Sequence, residues 1–376
     1  MRQPWPERPF ATPADHAACR EMIRHGSRSF FAASHLLPGR VRAPAYALYA
    51  FCRSADDAVD QGSDVDAALD VLNERLARAY CGDPLPTPVD RAFADLVALY
   101  AIPRALPEAL LEGLAWDAGR RRYDDLSALC AYAARVAGTV GLMMTLLMGV
   151  REPGVLARAC DLGIAMQLTN IARDVGEDAG LGRIYLPLQW LRAAGIDPDD
   201  WLARPSSDER LGAVVQKLLC AADALYDRAI PGIARLPSGC RPGILAAHVL
   251  YAEIGRQVER IGCDSVTLRA VVPGRRKALL LGKAFAAAPF LDAGPDAPAP
   301  TLLEAARFLV DAVAASAPPA SSPGVTPPWW DVAGRAVLVI ELFERIERRR
   351  RAGPTAPASG VAPTAEPAFA GIAHNH

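Results

Sequence analysis

The chain has 376 residues, 51% of them hydrophobic, which is enough to bury a sizeable core in one large domain or two ordinary ones. A formal net charge of −1 argues against a nucleic-acid binder, which carries a basic excess. Eight cysteines without a single CxxC pair argue against a zinc or redox motif and for small buried thiols in a reducing cytosol.

The N-terminal MRQPWPERPF has no apolar signal core, so a cytoplasmic protein is expected. From about residue 14 to 286 the pattern is helix after helix. Apolar positions recur every three or four residues in AYALYAFCRSADDAVD, DAALDVLNERLARAY and DRAFADLVALYAI, and again in LARACDLGIAMQLTNIARDV and GAVVQKLLCAADALYDRAI. Clusters such as CGDPLPTP at 81–88, EPG at 152–154 and RLPSGCRPG at 235–243 punctuate these runs, and no run alternates like a strand. The predicted class is all-α, with two acidic helices facing each other across a cavity. The apolar stretch VAGTVGLMMTLLMGV at 136–150 is short and glycine-rich for a membrane span. Residues 287–331 read as an Ala/Pro-rich linker with a short helical piece near 301–315. An amphipathic helix with a basic end follows at 332–351, suited to docking on the core or to a membrane surface, and then a disordered tail at 352–376.

Two acidic stripes carry the chemistry. In YAFCRSADDAVD, Tyr49, Arg53, Asp56 and Asp60 fall at offsets 0, 4, 7 and 11. In QLTNIARDVGED, Gln167, Asn170, Asp174 and Asp178 fall at offsets 0, 3, 7 and 11. Either set makes one stripe on a helix of 3.6 residues per turn. Carboxylates one turn apart repel by roughly 0.2–0.5 kcal/mol. Doing so twice beside apolar residues suggests a cation to be placed there, and carboxylate and amide oxygens suit a hard ion such as Mg2+ or Mn2+. Arg53 and Arg173 beside these acids make sense if the ligand is itself an anion such as a phosphate. Ser27, Arg28 and Ser29 upstream, and Arg183 and Tyr185 downstream, add hydroxyl and basic groups. The set describes a site for metal plus diphosphate. The bland alternatives are ordinary ion pairing for the arginines, core packing for the tyrosines and a solvated acidic face for each stripe. No Walker loop, zinc-helix histidine pair or nucleophile signature is present.

Four segments in order, SRSFFAASHLLP, ALYAFCRSADDAVD, YAARVAGTVGLMM and AMQLTNIARDVGEDAGLGRIYLP, resemble the squalene/phytoene synthase family, and within it the bacterial phytoene-forming members. The resemblance implies a single isoprenoid synthase domain over residues 14–286, with a central apolar cavity. It implies Mg2+ or Mn2+ on Asp56, Asp60, Asn170, Asp174 and Asp178. Ser27, Ser29, Arg53, Gln167, Arg173, Arg276 and Lys277 would hold substrate diphosphate, and Tyr49, Tyr132 and Tyr251 would line the reacting centre. Some relatives carry a histidine where this chain has Gly26. The implied reaction joins two geranylgeranyl diphosphates head to head, through prephytoene diphosphate, to phytoene. The alternatives are the C30 reaction on farnesyl diphosphate and a non-enzymatic assembly protein of the same fold. The implied partners are prenyl diphosphates, with a peripheral membrane contact and no nucleic acid. The small residues at 136–149 would leave room for long prenyl chains, so Phe at Ala137 or Gly141 is expected to block them.

Overall fold

The computed structural model describes residues 9–61, 65–292 and 301–316. Among these residues every regular element is helical. The chain runs through α1 (Pro13–Gly26), α2 (Arg28–Ser34), α3 (Gly39–Gln61), α4 (Val65–Cys81), α5 (Pro88–Tyr100), α6 (Ala105–Ala118), α7 (Leu126–Ala133) and α8 (Thr139–Leu147). It continues with α9 (Pro153–Arg173), α10 (Val175–Gly180), α11 (Leu188–Ala193), α12 (Pro198–Ala203), α13 (Glu209–Ala234), α14 (Arg241–Arg260), α15 (Gly274–Ala287) and α16 (Glu304–Ala314).

Local signals set several of the starts. Thr12 caps α1 by accepting from the Asp15 amide, the Asp15 carboxylate accepts from the Thr12 amide, and Pro13 takes the first turn. Thr87 with Pro88, Asp125 and Asp208 do the same work for α5, α7 and α13.

The long helices α9 and α13 form the central pair, with α8 and α14 packed against α9 and α3 reaching them through α8. Two glycines set the α8–α9 spacing. A Cβ at Gly141 would overlap the Ala159 carbonyl, and one at Gly163 would overlap the Ala137 carbonyl. Between α7 and α8, residues Ala134–Gly138 form a π-turn that inserts a residue into one continuous run. That run, Leu126–Leu147, is long and apolar enough to cross a membrane, but 61% of its apolar window is buried inside the fold.

Lower on α9, Asp161 is fully buried and takes Arg158 at 3.1 Å and Arg228 of α13 at 3.1 Å. Arg228 goes on to donate to the Thr301 carbonyl at 2.7 Å. This draws in α16, whose Ala306, Leu309, Val310 and Val313 are buried against the core. The stretch read as linker over 287–331 therefore contains a docked helix at the expected helical piece. Its apolar residues recur at helical spacing and need a partner face. The helix expected at 332–351 and the tail at 352–376 lie outside the described residues.

The last helix of the core, α15, is fastened to α14 through Glu253. This carboxylate is 5% exposed and accepts from Arg276 at 2.9 Å, Arg260 at 2.7 Å and Gln257 at 3.0 Å. Burial works to raise its pKa, but those three donors outweigh it and hold the group at about 2.

Two outcomes follow from this packing. Glu253 has a depressed folded pKa, so its stabilisation is complete above its ordinary value of 4.5 and is lost as pH falls through about 2. Glu253→Gln should lower the unfolding free energy at neutral pH, by on the order of 3 kcal/mol. The gap from the parent should close toward pH 2 in a pH series of denaturant melts; a gap independent of pH would refute this role. Gly141→Ala should cost about 1–3 kcal/mol by overpacking, despite the better helix propensity of alanine. Gly141→Phe should therefore fail as a folded protein, and is a poor test of cavity length. A thermal midpoint for Gly141→Ala at or above that of the parent would show that α8 and α9 can separate freely.

Candidate active site

A cavity of about 320 Å³ lies between α2, α3, the π-turn with α8, α9, α13 and α14. Phe30, Leu48, Val140, Met144, Leu162 and Ile233 represent its walls. Along α9 its lining runs from Val155 to Asn170. That span corresponds to a depth of about 22 Å at about 1.5 Å per helical residue. Apolar over most of this length, the cavity ends in Tyr49, Gln167, Asn170 and Tyr251.

Both acidic motifs stand at that polar end. On α3, Arg53 pairs with Asp56 at 3.3 Å and with Asp57 at 2.6 Å. Asp60, at the last turn of α3, pairs with Arg183 at 2.9 Å. Arg183 follows α10, so this one guanidinium ties the first motif to the second. On the facing side Arg173 chelates Asp174. Arg269, from the loop between α14 and α15, reaches Asp174 at 3.3 Å and also pairs with Glu177.

The second stripe is not one helix. α9 ends at Arg173, and Asp174, with φ −107° and ψ 18°, both closes α9 and precedes α10. The i to i+4 hydrogen bonds Asp174 N–H to Asn170 O (2.9 Å) and Asp178 N–H to Asp174 O (2.8 Å) survive the break. The redirection has a local cause. The Gly176 amide donates to Ser265 O at 2.9 Å, and Gly176 lies so close to the Val266 backbone that a Cβ would overlap it. The loop carrying Arg269 is wedged against the turn, and glycine permits the approach.

Burial and crowding raise the cost of ionising these acids. Burial, followed by the nearby Asp174, pushes Asp178 up to about 7. Burial and then Asp60 raise Asp56. No three His, Cys, Asp or Glu groups converge at metal-binding spacing among the described residues. The donor set of carboxylates plus the Asn170 amide fits Mg2+ or Mn2+ only if further oxygens complete the sphere. Mg2+ commonly takes one or two carboxylates and fills the rest with phosphate and water.

The tyrosines divide into two groups. Tyr251 lines the cavity, stacks on Phe30 at 4.8 Å and is hydrogen-bonded to Ser27. Ser27 also caps α2, accepting from the Phe30 amide at 3.3 Å, and Ser29 is half-buried in the first turn. The Tyr49 hydroxyl occupies the space a Cβ on Gly26 would fill. A histidine at that position would have to displace it. Tyr132, in contrast, is not in the cavity wall. It is 2% exposed and donates to Asp117 at 2.6 Å, while Tyr185 donates to the other oxygen at 2.7 Å. The rings of Tyr132 and Tyr185 stack with centroids 5.3 Å apart. Burial pushes Asp117 up to about 6 against these two donors.

Of the residues expected to hold diphosphate, Arg276 is taken up by Glu253, because that buried carboxylate needs a charged partner. Lys277 lies beside it at the start of α15. Asp57, Asp117 and Arg269 were not singled out by the motif reading. Asp117 left one weak signal, the last of three acids in the otherwise apolar run ALPEALLEGLAWDA. Arg269 sits in a loop and leaves no periodic trace.

The squalene/phytoene synthase profile matches residues 23–277. The chain is 54% identical over 354 residues to a phytoene synthase of Cereibacter sphaeroides, covering 90% of this chain and 95% of that one. It is 41% identical to a 15-cis-phytoene synthase of a Paracoccus species, over 70% of this chain and 88% of that one. Among solved structures, a dehydrosqualene synthase in complex with ligand superposes with a TM-score of 0.67 at 32% identity, covering 73% of this chain and 96% of that one. The chain belongs to the squalene/phytoene synthase family.

Proposed function

We propose that the protein is a phytoene synthase, a prenyltransferase that condenses two geranylgeranyl diphosphates through prephytoene diphosphate to phytoene. One observation carries the reading: two acid-and-arginine motifs, joined by the Asp60–Arg183 pair, stand at the polar end of an apolar cavity about 22 Å deep. Such a site suits an amphiphile with a long apolar tail and a polyanionic head. High identity to phytoene synthases over nearly the whole chain supports the C40 product. The likeness to a dehydrosqualene synthase keeps the C30 reaction as the second reading.

In this reading Asp56, Asp60, Asn170, Asp174 and Asp178, with diphosphate oxygens, hold Mg2+ or Mn2+, which supplies charge neutralisation for the leaving group. Arg53, Arg173 and Arg269 exchange their carboxylate partners for diphosphate oxygens as substrate enters, and Gln167, Ser27 and Ser29 add neutral donors. Loss of the first diphosphate leaves an allylic cation, which the double bond of the second substrate attacks. Proton loss closes the cyclopropane of prephytoene diphosphate. Loss of the second diphosphate, rearrangement and a further proton loss give phytoene. The apolar walls exclude water that would trap the cations. The rings of Tyr49, Phe30 and Tyr251 face the cavity where cation stabilisation of about 0.5–2 kcal/mol per ring is available. Tyr132 and Tyr185 are held by Asp117 behind the motifs, so Asp117 acts as a positioning residue. Arg276 holds α15 in place, and diphosphate contact falls to Arg269 in its stead. Substrates and product partition into lipid, so the enzyme works at the cytoplasmic face of a membrane.

The purified protein with Mg2+ or Mn2+ and geranylgeranyl diphosphate, without reductant, should yield a C40 hydrocarbon. Asp56→Asn and Asp174→Asn should each lower the rate about 100-fold or more. Product from farnesyl diphosphate alone would move the protein to the C30 branch, and no product from either would favour an assembly protein. Asp117→Asn should lower kcat roughly 10- to 100-fold with little change in KM. A change in KM alone would place Asp117 in substrate binding.

A further inference from the structure

From Ser265 to Leu291 the chain carries no acidic residue and five basic ones: Arg269, Arg275, Arg276, Lys277 and Lys283. The same stretch holds five of the nine large hydrophobic side chains that stand exposed among the described residues. These are Leu268, Val271, Leu279, Phe285 and Phe290, with Val271 67%, Phe285 61% and Phe290 85% exposed. Single exposed apolar residues are ordinary on a protein surface; a concentration of this kind is not.

The helix α15 explains how they come to share a surface. Leu280, Ala284 and Ala288 form its buried side. On the opposite side, Arg275, Leu279, Gly282 and Ala286 follow one another at helical spacing and are exposed, with Lys283 beside them. A helix on a water-facing surface places polar residues there. Here the outward side carries Leu279, Gly282 and Ala286 with the cations Arg275 and Lys283, a mix of apolar and basic groups found in helices that lie in a lipid interface. The position fits as well. Leu268 and Val271 flank Arg269, which reaches Asp174 and Glu177 at the polar end of the cavity.

We infer that the surface formed by the α14–α15 loop, α15 and Phe290 docks the protein on an anionic phospholipid bilayer beside the mouth of the cavity. Charge complementarity selects this occupant: with Arg276 held by Glu253 and Arg269 by Asp174 and Glu177, Arg275, Lys277 and Lys283 meet lipid phosphates while the apolar side chains enter the headgroup–acyl boundary. The docking face puts the acidic mouth near headgroup level, where a prenyl diphosphate carries its head. The inference gives a location to the membrane encounter in the proposed reading. Lipid binding is measured without turnover, so either can fail alone.

The test is co-sedimentation of the full-length chain with phosphatidylcholine vesicles, with and without phosphatidylglycerol. The parent should bind the anionic vesicles more tightly. Arg275→Gln combined with Lys283→Gln should weaken that binding about 10- to 30-fold. Val271→Ser, Phe285→Ser and Phe290→Ser combined should weaken it at least about tenfold. All these side chains are exposed, and both variants should keep the parent thermal midpoint and their turnover of detergent-dispersed substrate. Replacing Arg348, Arg349, Arg350 and Arg351 by glutamine should leave binding within about twofold of the parent. The inference is overturned if the parent ignores anionic vesicles, or if both surface variants bind like the parent. It is equally overturned if only the 348–351 variant loses binding, which would assign the contact to that segment. A parent dimer that the serine variant converts to monomer would assign the face to a second copy.

Discussion

Negative charge concentrated at the rim of an apolar cavity is the constraint on which the rest of the structure depends. Asp56 and Asp60 of α3 are drawn together with Asp174 at the α9–α10 break and Asp178 of α10, and burial opposes the ionisation of Asp56 and Asp178. Every nearby arginine is committed to this problem: Arg53 to Asp56 and Asp57, Arg183 to Asp60, Arg173 and Arg269 to Asp174. These pairs are not mainly a source of stability, because most of them are partly exposed and solvent-screened pairs contribute little. They keep the two motifs facing each other, and in the proposed reading a diphosphate and its cations would take over these pairs by exchange.

The scaffold is built to hold that rim. A single helix, α9, supplies Asn170 at the mouth, Gly163 in the wall and Asp161 deep in the core, each with a different task. Asp161 draws Arg158 and Arg228 inward and couples α9 to α13 and to the approach to α16. Gly163 and Gly141 remove side chains where α8 must come close, so the wall stays thin and the volume goes to the cavity. The π-turn at Ala134–Gly138 shifts the register of the α7–α8 run where it meets that wall. Behind the mouth, Asp117 uses both oxygens to fix Tyr132 and Tyr185, converting a buried carboxyl into a rigid support.

Features that repeat along a helix were legible in the sequence. The apolar periodicity of α3, α9 and α13, the α3 stripe from Tyr49 to Asp60, and the short helix near 301–315 all follow from 3.6-residue spacing. The second stripe was read as continuous, and the break at Asp174 escaped because its cause is tertiary: the Ser265–Val266 backbone presses on Gly176 from 90 residues away in the chain. Arg276 was assigned to diphosphate by resemblance, yet its side chain answers Glu253, an acid that periodicity marks only as part of α14. Tyr132 was grouped with Tyr49 and Tyr251 although its hydroxyl is turned to Asp117. In each case the missing information was the partner across space rather than the residue itself.

The depth of the cavity and the placement of its polar groups bear on how two large amphiphiles are kept in register. The paired acidic motifs and their arginines lie at one end; the one charged side chain in the deeper lining, Arg158, is already paired with the buried Asp161. In the proposed reading the diphosphates stay at the rim with Arg53, Arg173 and Arg269, and two substrates lie side by side with their heads at the same level. In the proposed reading both C1 carbons then lie near the mouth, between the α3 and α9 motifs. The head-to-head outcome then follows from where charge is permitted: the apolar wall forbids the antiparallel arrangement, and the paired acidic motifs supply two anchoring points at one level.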